Sequence, residues 1–319
     1  MTVGNLKSIL VASLFAMVIV AVPWEELQGH VFQDLQVYIR MVGESELYGF
    51  RFGKEISGYI DYITYEYLWF QLTLLVSYSE VDPELVFSFV TVFCSFVYMF
   101  YLYRKTRFYW ICLLLLNPIT IVLLSSQIRS AFAFSIVLLA TQITDKKKYL
   151  LAVFIVVSFI HLSMLAMLGV FAIAYFIANR TALYSNEKVL LAAIVGLAGG
   201  FILGLVVPEI LTGIGDRRGG RSLTTESFWY ISFWVAWVGL MILGVDRQKE
   251  PTIEYLYSVI ICLTAVIATL FGFYSFRFVG LSLPVIISCI PQMRVEYRFI
   301  AYVAFSLDVL LLFYYYLLV

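Results

Sequence analysis

Arg129 opens an otherwise apolar stretch, SSQIRSAFAFSIVLLA, residues 125–140. A guanidinium in hydrocarbon costs about 2.5–3.5 kcal/mol on insertion scales, so a residue kept there has a partner or a task. Its planar fork donates two parallel hydrogen bonds, which suits the paired oxygens of a diphosphate. Gln127, two residues earlier, adds an amide at the same span end. Arg217, Arg218 and Arg221 lie in GDRRGGR, residues 215–221, where glycines let backbone approach a ligand closely. Arg277 stands at the head of a later apolar run. The competing reading for the loop arginines is a solvated segment paired with Asp216, Glu209 and Glu226. For Arg129 it is snorkelling to lipid headgroups.

The acids and the histidine offer the complementary chemistry, proton transfer. Asp34 and Tyr38 in FQDLQVYIR are spaced i, i+4, which puts both on one side of a helix. Glu66 lies in YITYEYLWF, flanked by Tyr65 and Tyr67. A carboxylate among tyrosines at a membrane surface suits sugar recognition or general-base work on a hydroxyl. His161 ends the run YLLAVFIVVSFIH and can act as a base, a proton donor or a phosphate contact. Glu66 is the first choice for the base, ahead of Asp34 and His161, because a carboxylate accepts a hydroxyl proton directly. Each has a plain structural alternative: a wet interfacial acid, or a core histidine satisfied by its neighbours. Asp308, inside the last apolar run, is costly there and predicts a pairing. The sequence contains no Walker motif, HExxH, GxSxG or metal-ligand cluster, so ATP-driven, zinc-protease and acyl-serine chemistry are not expected. The four cysteines lie in apolar runs without CxxC spacing and read as small buried hydrophobes.

The composition says what must hold these groups. Of 319 residues, 62% are hydrophobic and 13% charged, too apolar for a water-soluble domain. Apolar runs at 6–22, 63–79, 84–103, 108–125, 128–143, 149–161, 163–178, 188–206, 228–245, 252–273, 276–292 and 299–319 predict an all-α polytopic integral membrane protein. About 11–12 membrane helices are expected, forming a single transmembrane domain over 1–319. The run 6–22 reads as an uncleaved signal anchor. Two long connections, 23–62 and 207–227, are expected to be periplasmic. Basic loops at 103–107, 145–148, 179–180, 246–250 and 294–298 are separated by even numbers of spans and should share the cytoplasmic face. Arg129, His161, residues 215–221 and Arg277 then fall on the opposite face. Parity requires one early run to fail to cross, and a re-entrant or shallow 63–79 is favoured. Gly200 and Gly204 provide a small-residue face for helix packing. The zero formal net charge argues against nucleic acid as a partner.

Taken in order, Asp34 and Tyr38, the YE segment at Glu66, QIRSAFAFSIVLLA, the KKK turn and FIVVSFIHLSMLAML resemble the EpsG-like family of polysaccharide polymerases, functional relatives of the Wzy O-antigen polymerases. The clearest matching segments are Ile128-Arg129 and His161-Leu162-Ser163. The chain departs from the family pattern at Ser130, where a second glutamine is common, and at Tyr67-Leu68, where proline and glycine often follow the glutamate. The resemblance implies a GT-C-like membrane glycosyltransferase of the bacterial inner membrane, with neither metal nor cofactor. Its donor and acceptor would be undecaprenyl-diphosphate-linked glycans, polymerised at the periplasmic face. Glu66, Asp34 or His161 would be catalytic. Arg129, Gln127, Arg217, Arg218, Arg221, Arg277, Tyr38 and Tyr65 would bind substrate. Further partners would be membrane lipids, a flippase and a chain-length regulator. A transporter or flippase of lipid-linked oligosaccharide is the competing class, since intramembrane Arg, His and Asp also suit a carrier. An O-antigen ligase would differ only in acceptor. No inverted repeat or pair of broken helices is visible in the sequence.

Overall fold

A computed structural model of the chain describes residues 3–29, 31–43, 66–144, 146–209, 228–272 and 276–318. In hydrocarbon, backbone N–H and C=O groups must be satisfied inside their own segment, which leaves the helix as the default. Among the described residues the chain is helical, with no strand beyond an isolated bridge between Val245 and Met293. It divides into two compact units, residues 1–168 with 312–319, and residues 169–311.

The first unit is built around α5 (Pro83–Thr106), preceded by α1 (Val3–Ala21), α2 (Trp24–Gln28), α3 (Gln33–Gly43) and α4 (Tyr67–Tyr78). Asp82 starts α5, its side chain accepting from the Glu84 N–H at 2.9 Å, with Pro83 at the first helical position. Basic Arg104 and Lys105 end it, matching the negative pole of the helix. α1 packs along α5, burying Ala12, Phe15, Ala16 and Ile19. α4 has 12 residues. That is about 18 Å, well short of the roughly 30 Å of hydrocarbon.

The expected span 108–125 does not form as one helix. It becomes α6 (Tyr109–Leu113) and α7 (Pro118–Ser125), parted at Asn117, whose backbone is extended and whose side chain accepts from the Ile119 N–H at 2.9 Å. Asparagine followed by proline is a helix-start signal, and here it overrides the continuous apolar run. α7 and α8 (Ile128–Ile143) then meet at 100° across Ser126 and Gln127, as a broken span or a re-entrant loop. α8 packs on α5 through Phe132 against Phe93 and Phe134 against Tyr98. α9 (Lys147–Ser158) packs on α8, and α10 (Ser163–Ala178) follows.

The second unit contains α11 (Ser185–Phe201), which continues as a π-helical turn over Ile202–Val206, then α12 (Phe228–Gly244), α13 (Ile253–Leu270), α14 (Phe276–Ser288) and most of α15 (Val295–Leu318). α11 and α13 approach closely along Gly196, Gly200 and Gly204. A Cβ at Gly200 would stand 2.4 Å from Ile267 Cβ, and one at Gly204 2.7 Å from Phe271 Cβ. The small-residue face expected at Gly200 and Gly204 is therefore a packing seam. Phe233 and Trp237 of α12 close on Phe305 of α15. Lys188 is buried but satisfied, donating to the Ala178 carbonyl at 3.0 Å and to Glu250. Asp246 accepts from the Gln248 N–H, and that bond, with Lys249 nearby, holds its carboxyl below the usual carboxylate range.

Among the described residues, four helices are long and apolar enough to cross a membrane: Pro83–Thr106, Ser185–Glu209, Ile253–Leu270 and Val295–Tyr316. The bent α7–α8 pair makes a fifth if it counts as one span. The other expected runs form shorter helices, such as Leu6–Ala21, Lys148–Ser158 and Ser163–Ala178.

Candidate active site

Glu66 stands immediately before α4 with φ 54° and ψ 52°, a left-handed conformation that costs a non-glycine residue about 1–2 kcal/mol. The conformation is held from outside: the Leu68 N–H donates 3.0 Å to the carbonyl of Phe159, just past the end of α9. That bond ties the start of α4 to the segment carrying His161. The Glu66 side chain is buried, and its Oε1 lies 2.5 Å from His161 Nδ1, with the Leu162 N–H at 3.5 Å. Its Oε2 pairs with Arg129 Nη1. One carboxylate thus joins two cationic-capable groups, one of them 95 residues away.

Three helix starts meet here. Glu66 precedes Tyr67 of α4, Arg129 is the second residue of α8, and His161 stands two residues before Ser163 of α10. Each helix N-terminus carries about half a positive charge, so a buried carboxylate at their junction is favoured, and so is a further anion. α3 closes the other side. Tyr38 lies under the Arg129 guanidinium, 5.6 Å from ring centroid to Cζ, and Asp34, one turn earlier, is within electrostatic reach of Arg129. Tyr38 is in turn packed edge-on against Trp69 at 5.4 Å, and Trp69 stacks on Phe87 of α5. The i, i+4 expectation for Asp34 and Tyr38 therefore holds, with the tyrosine as the platform for the arginine.

Buried polar atoms without a hydrogen-bond partner are uncommon in folded proteins. Besides Glu66 Oε2, which is held in its ion pair, and Trp69 Nε1 in the aromatic stack, such atoms at or beside these residues in the chain include Arg129 Nε, Gln127 Oε1 and Ser163 Oγ. Arg129 Nε and Ser163 Oγ can donate to a bound molecule, and Gln127 Oε1 can accept from one. His161 and Arg129 have 14% and 19% of their side chains exposed, against 2% for Glu66, so the outer members of the cluster are the ones a substrate can reach.

Arg277 is exposed in the first turn of α14, in the second unit. Arg217, Arg218, Arg221 and Tyr65 lie outside the described residues, as do His30 and most of the two long loops. Asp308 is buried within α15. The sequence did not mark Trp69, which lies three residues after Glu66 and packs against Tyr38. It also gave no weight to Leu162 or Phe159, which act through backbone groups and leave no trace in residue type. All four cysteines are buried, and none is joined in a disulfide.

Compared with protein-family models, with curated proteins and with solved structures, the chain matches none.

Proposed function

We propose that this protein is a membrane glycosyltransferase, GT-C-like in architecture, that polymerises undecaprenyl-diphosphate-linked oligosaccharide repeat units at the periplasmic face of a bacterial inner membrane. The observation that carries the reading is the Glu66–Arg129–His161 cluster: a guanidinium and a carboxylate–imidazole pair at one end of the α8–α9 hairpin. The transfer needs those two functions together. A sugar hydroxyl of the acceptor attacks the anomeric carbon of the donor and gives up its proton to a base. The bond from that carbon to the diphosphate breaks, and the leaving group keeps the electron pair. Developing charge on the diphosphate is stabilised by fixed donors and cations, which Arg129 and the helix N-termini supply. The proton acceptor comes from the Glu66–His161 pair.

The length of α9 is consistent with lipid-linked substrates. α9 has 12 residues, so the lysine turn at 146–148 and His161 are about 20 Å apart along it. With the lysines at one headgroup layer, the cluster lies some way inside the roughly 30 Å hydrocarbon slab. A diphosphate at the head of an undecaprenyl chain approaches from that side.

The 100° break between α7 and α8 favours a second reading, a carrier of lipid-linked oligosaccharide, because broken helices expose backbone poles to an anionic cargo. One assay separates the two. Purified protein in liposomes, given lipid-diphosphate-linked repeat units without ATP or an ion gradient, should produce a ladder of longer glycans. A carrier moves repeats across the bilayer and leaves them single.

A further inference from the structure

We infer that His161 is the group that takes the hydroxyl proton, and that Glu66 is a positioning residue rather than the base. The inference rests on the polymerase reading for the identity of the hydroxyl; the division of labour rests on geometry. Both oxygens of Glu66 are committed. Oε1 faces His161 Nδ1 at 2.5 Å and the Leu162 N–H, and Oε2 faces Arg129. A sugar hydroxyl would have to displace one of these and enter a site that is 2% exposed. An ionised carboxylate only accepts, so its contact with Nδ1 assigns the ring proton to that nitrogen. In the neutral imidazole, Nε2 is then the basic nitrogen, and the ring belongs to the more exposed partner.

The step follows the logic of a carboxylate-oriented histidine base. The acceptor oxygen bonds to the anomeric carbon as its proton passes to His161 Nε2. The carbon–oxygen bond to the diphosphate breaks, and the electron pair leaves on the diphosphate. The imidazolium that forms is stabilised by Glu66 and later returns its proton to solvent or to the departing diphosphate. The left-handed backbone at Glu66, pinned by Leu68 to Phe159, gives the carboxylate a fixed station between its two partners.

The test has a spectroscopic and a kinetic arm. The chain contains two histidines, so a His30→Gln protein labelled with ¹⁵N-histidine reports on His161 alone. Long-range ¹H–¹⁵N correlation of the neutral ring should show the Nδ1–H tautomer, with that preference reduced in Glu66→Gln. An Nε2–H tautomer in the protein that keeps Glu66 overturns the inference, and this reading does not depend on the folding of any variant of the cluster itself. In the glycan-ladder assay, His161→Gln should lower kcat by about 10²–10⁴-fold with KM within about threefold, as expected for loss of a base. Turnover at the wild-type rate in His161→Gln, with a ladder still formed, refutes the base assignment and leaves the polymerase standing. No ladder from the wild type refutes the polymerase, and the base role with it, whatever the tautomer.

Discussion

Arg129 is paired rather than left to snorkel, and this changes what its removal should do. Truncating either member of a buried ion pair strands the other charge, at a cost of about 3–5 kcal/mol. Glu66→Ala and Arg129→Ala should each lower the thermal stability of the detergent-solubilised protein. The double variant should recover about 1–3 kcal/mol relative to the sum of the two. Strictly additive losses would mean that the two side chains do not share an interaction. Glu66, Arg129, His161, Tyr38, Asp34 and Gln127 each stood out in the sequence because a polar group in an apolar setting has to be accounted for energetically. Their meeting did not stand out. No local spacing joins residues 66 and 161, and the contact depends on α4, α8 and the end of α9 packing together. The sequence also favoured Glu66 as the base on chemical type alone. Only the geometry shows that its oxygens are already engaged.

At the scale of elements, the apolar runs marked most helices to within a few residues, 163–178 among them. They misread 108–125, where the Asn117-Pro118 pair cuts the run, and they gave no sign of the 100° turn at Ser126 and Gln127. Hydropathy reports solubility in lipid and is blind to backbone punctuation, so a continuous apolar run need not be a continuous helix. The glycine seam was legible, because glycines spaced by four can only face one way on a helix. It yields a paired prediction. Gly200→Ala puts a Cβ 2.4 Å from Ile267 Cβ, whereas a Cβ at Gly239 meets nothing within 4 Å. Overpacking at Gly200 should cost about 1–3 kcal/mol. Gly239→Ala should be neutral or stabilising by about 0.5–1 kcal/mol, from helix propensity. Thermal unfolding of both variants in one detergent checks this, and equal shifts would contradict a tight α11–α13 seam.

For the molecule as a whole, the class of all-helical membrane protein was legible from composition, while orientation rests on the basic loops. The α8–α9 hairpin sets the lysine turn at one end and Arg129 with His161 at the other, so the proposed orientation is a prediction about these two ends. Ile143→Cys, exposed beside that turn, should resist impermeant thiol reagents in intact cells and react once the membrane is opened. Ser222→Cys, which lies outside the described residues, should react from outside. The four native cysteines are buried and should contribute little background. Labelling of Ile143→Cys in intact cells would invert the orientation. The claim that the cluster grips a lipid diphosphate is tested most directly by elongation of lipid-linked repeats by Arg129→Lys, in protein that inserts and folds normally. An ammonium keeps the charge opposite Glu66 but lacks the bidentate fork. The account predicts a rate within about tenfold of Arg129→Ala and at least about 10²-fold below wild type. Wild-type elongation by the lysine variant would contradict it.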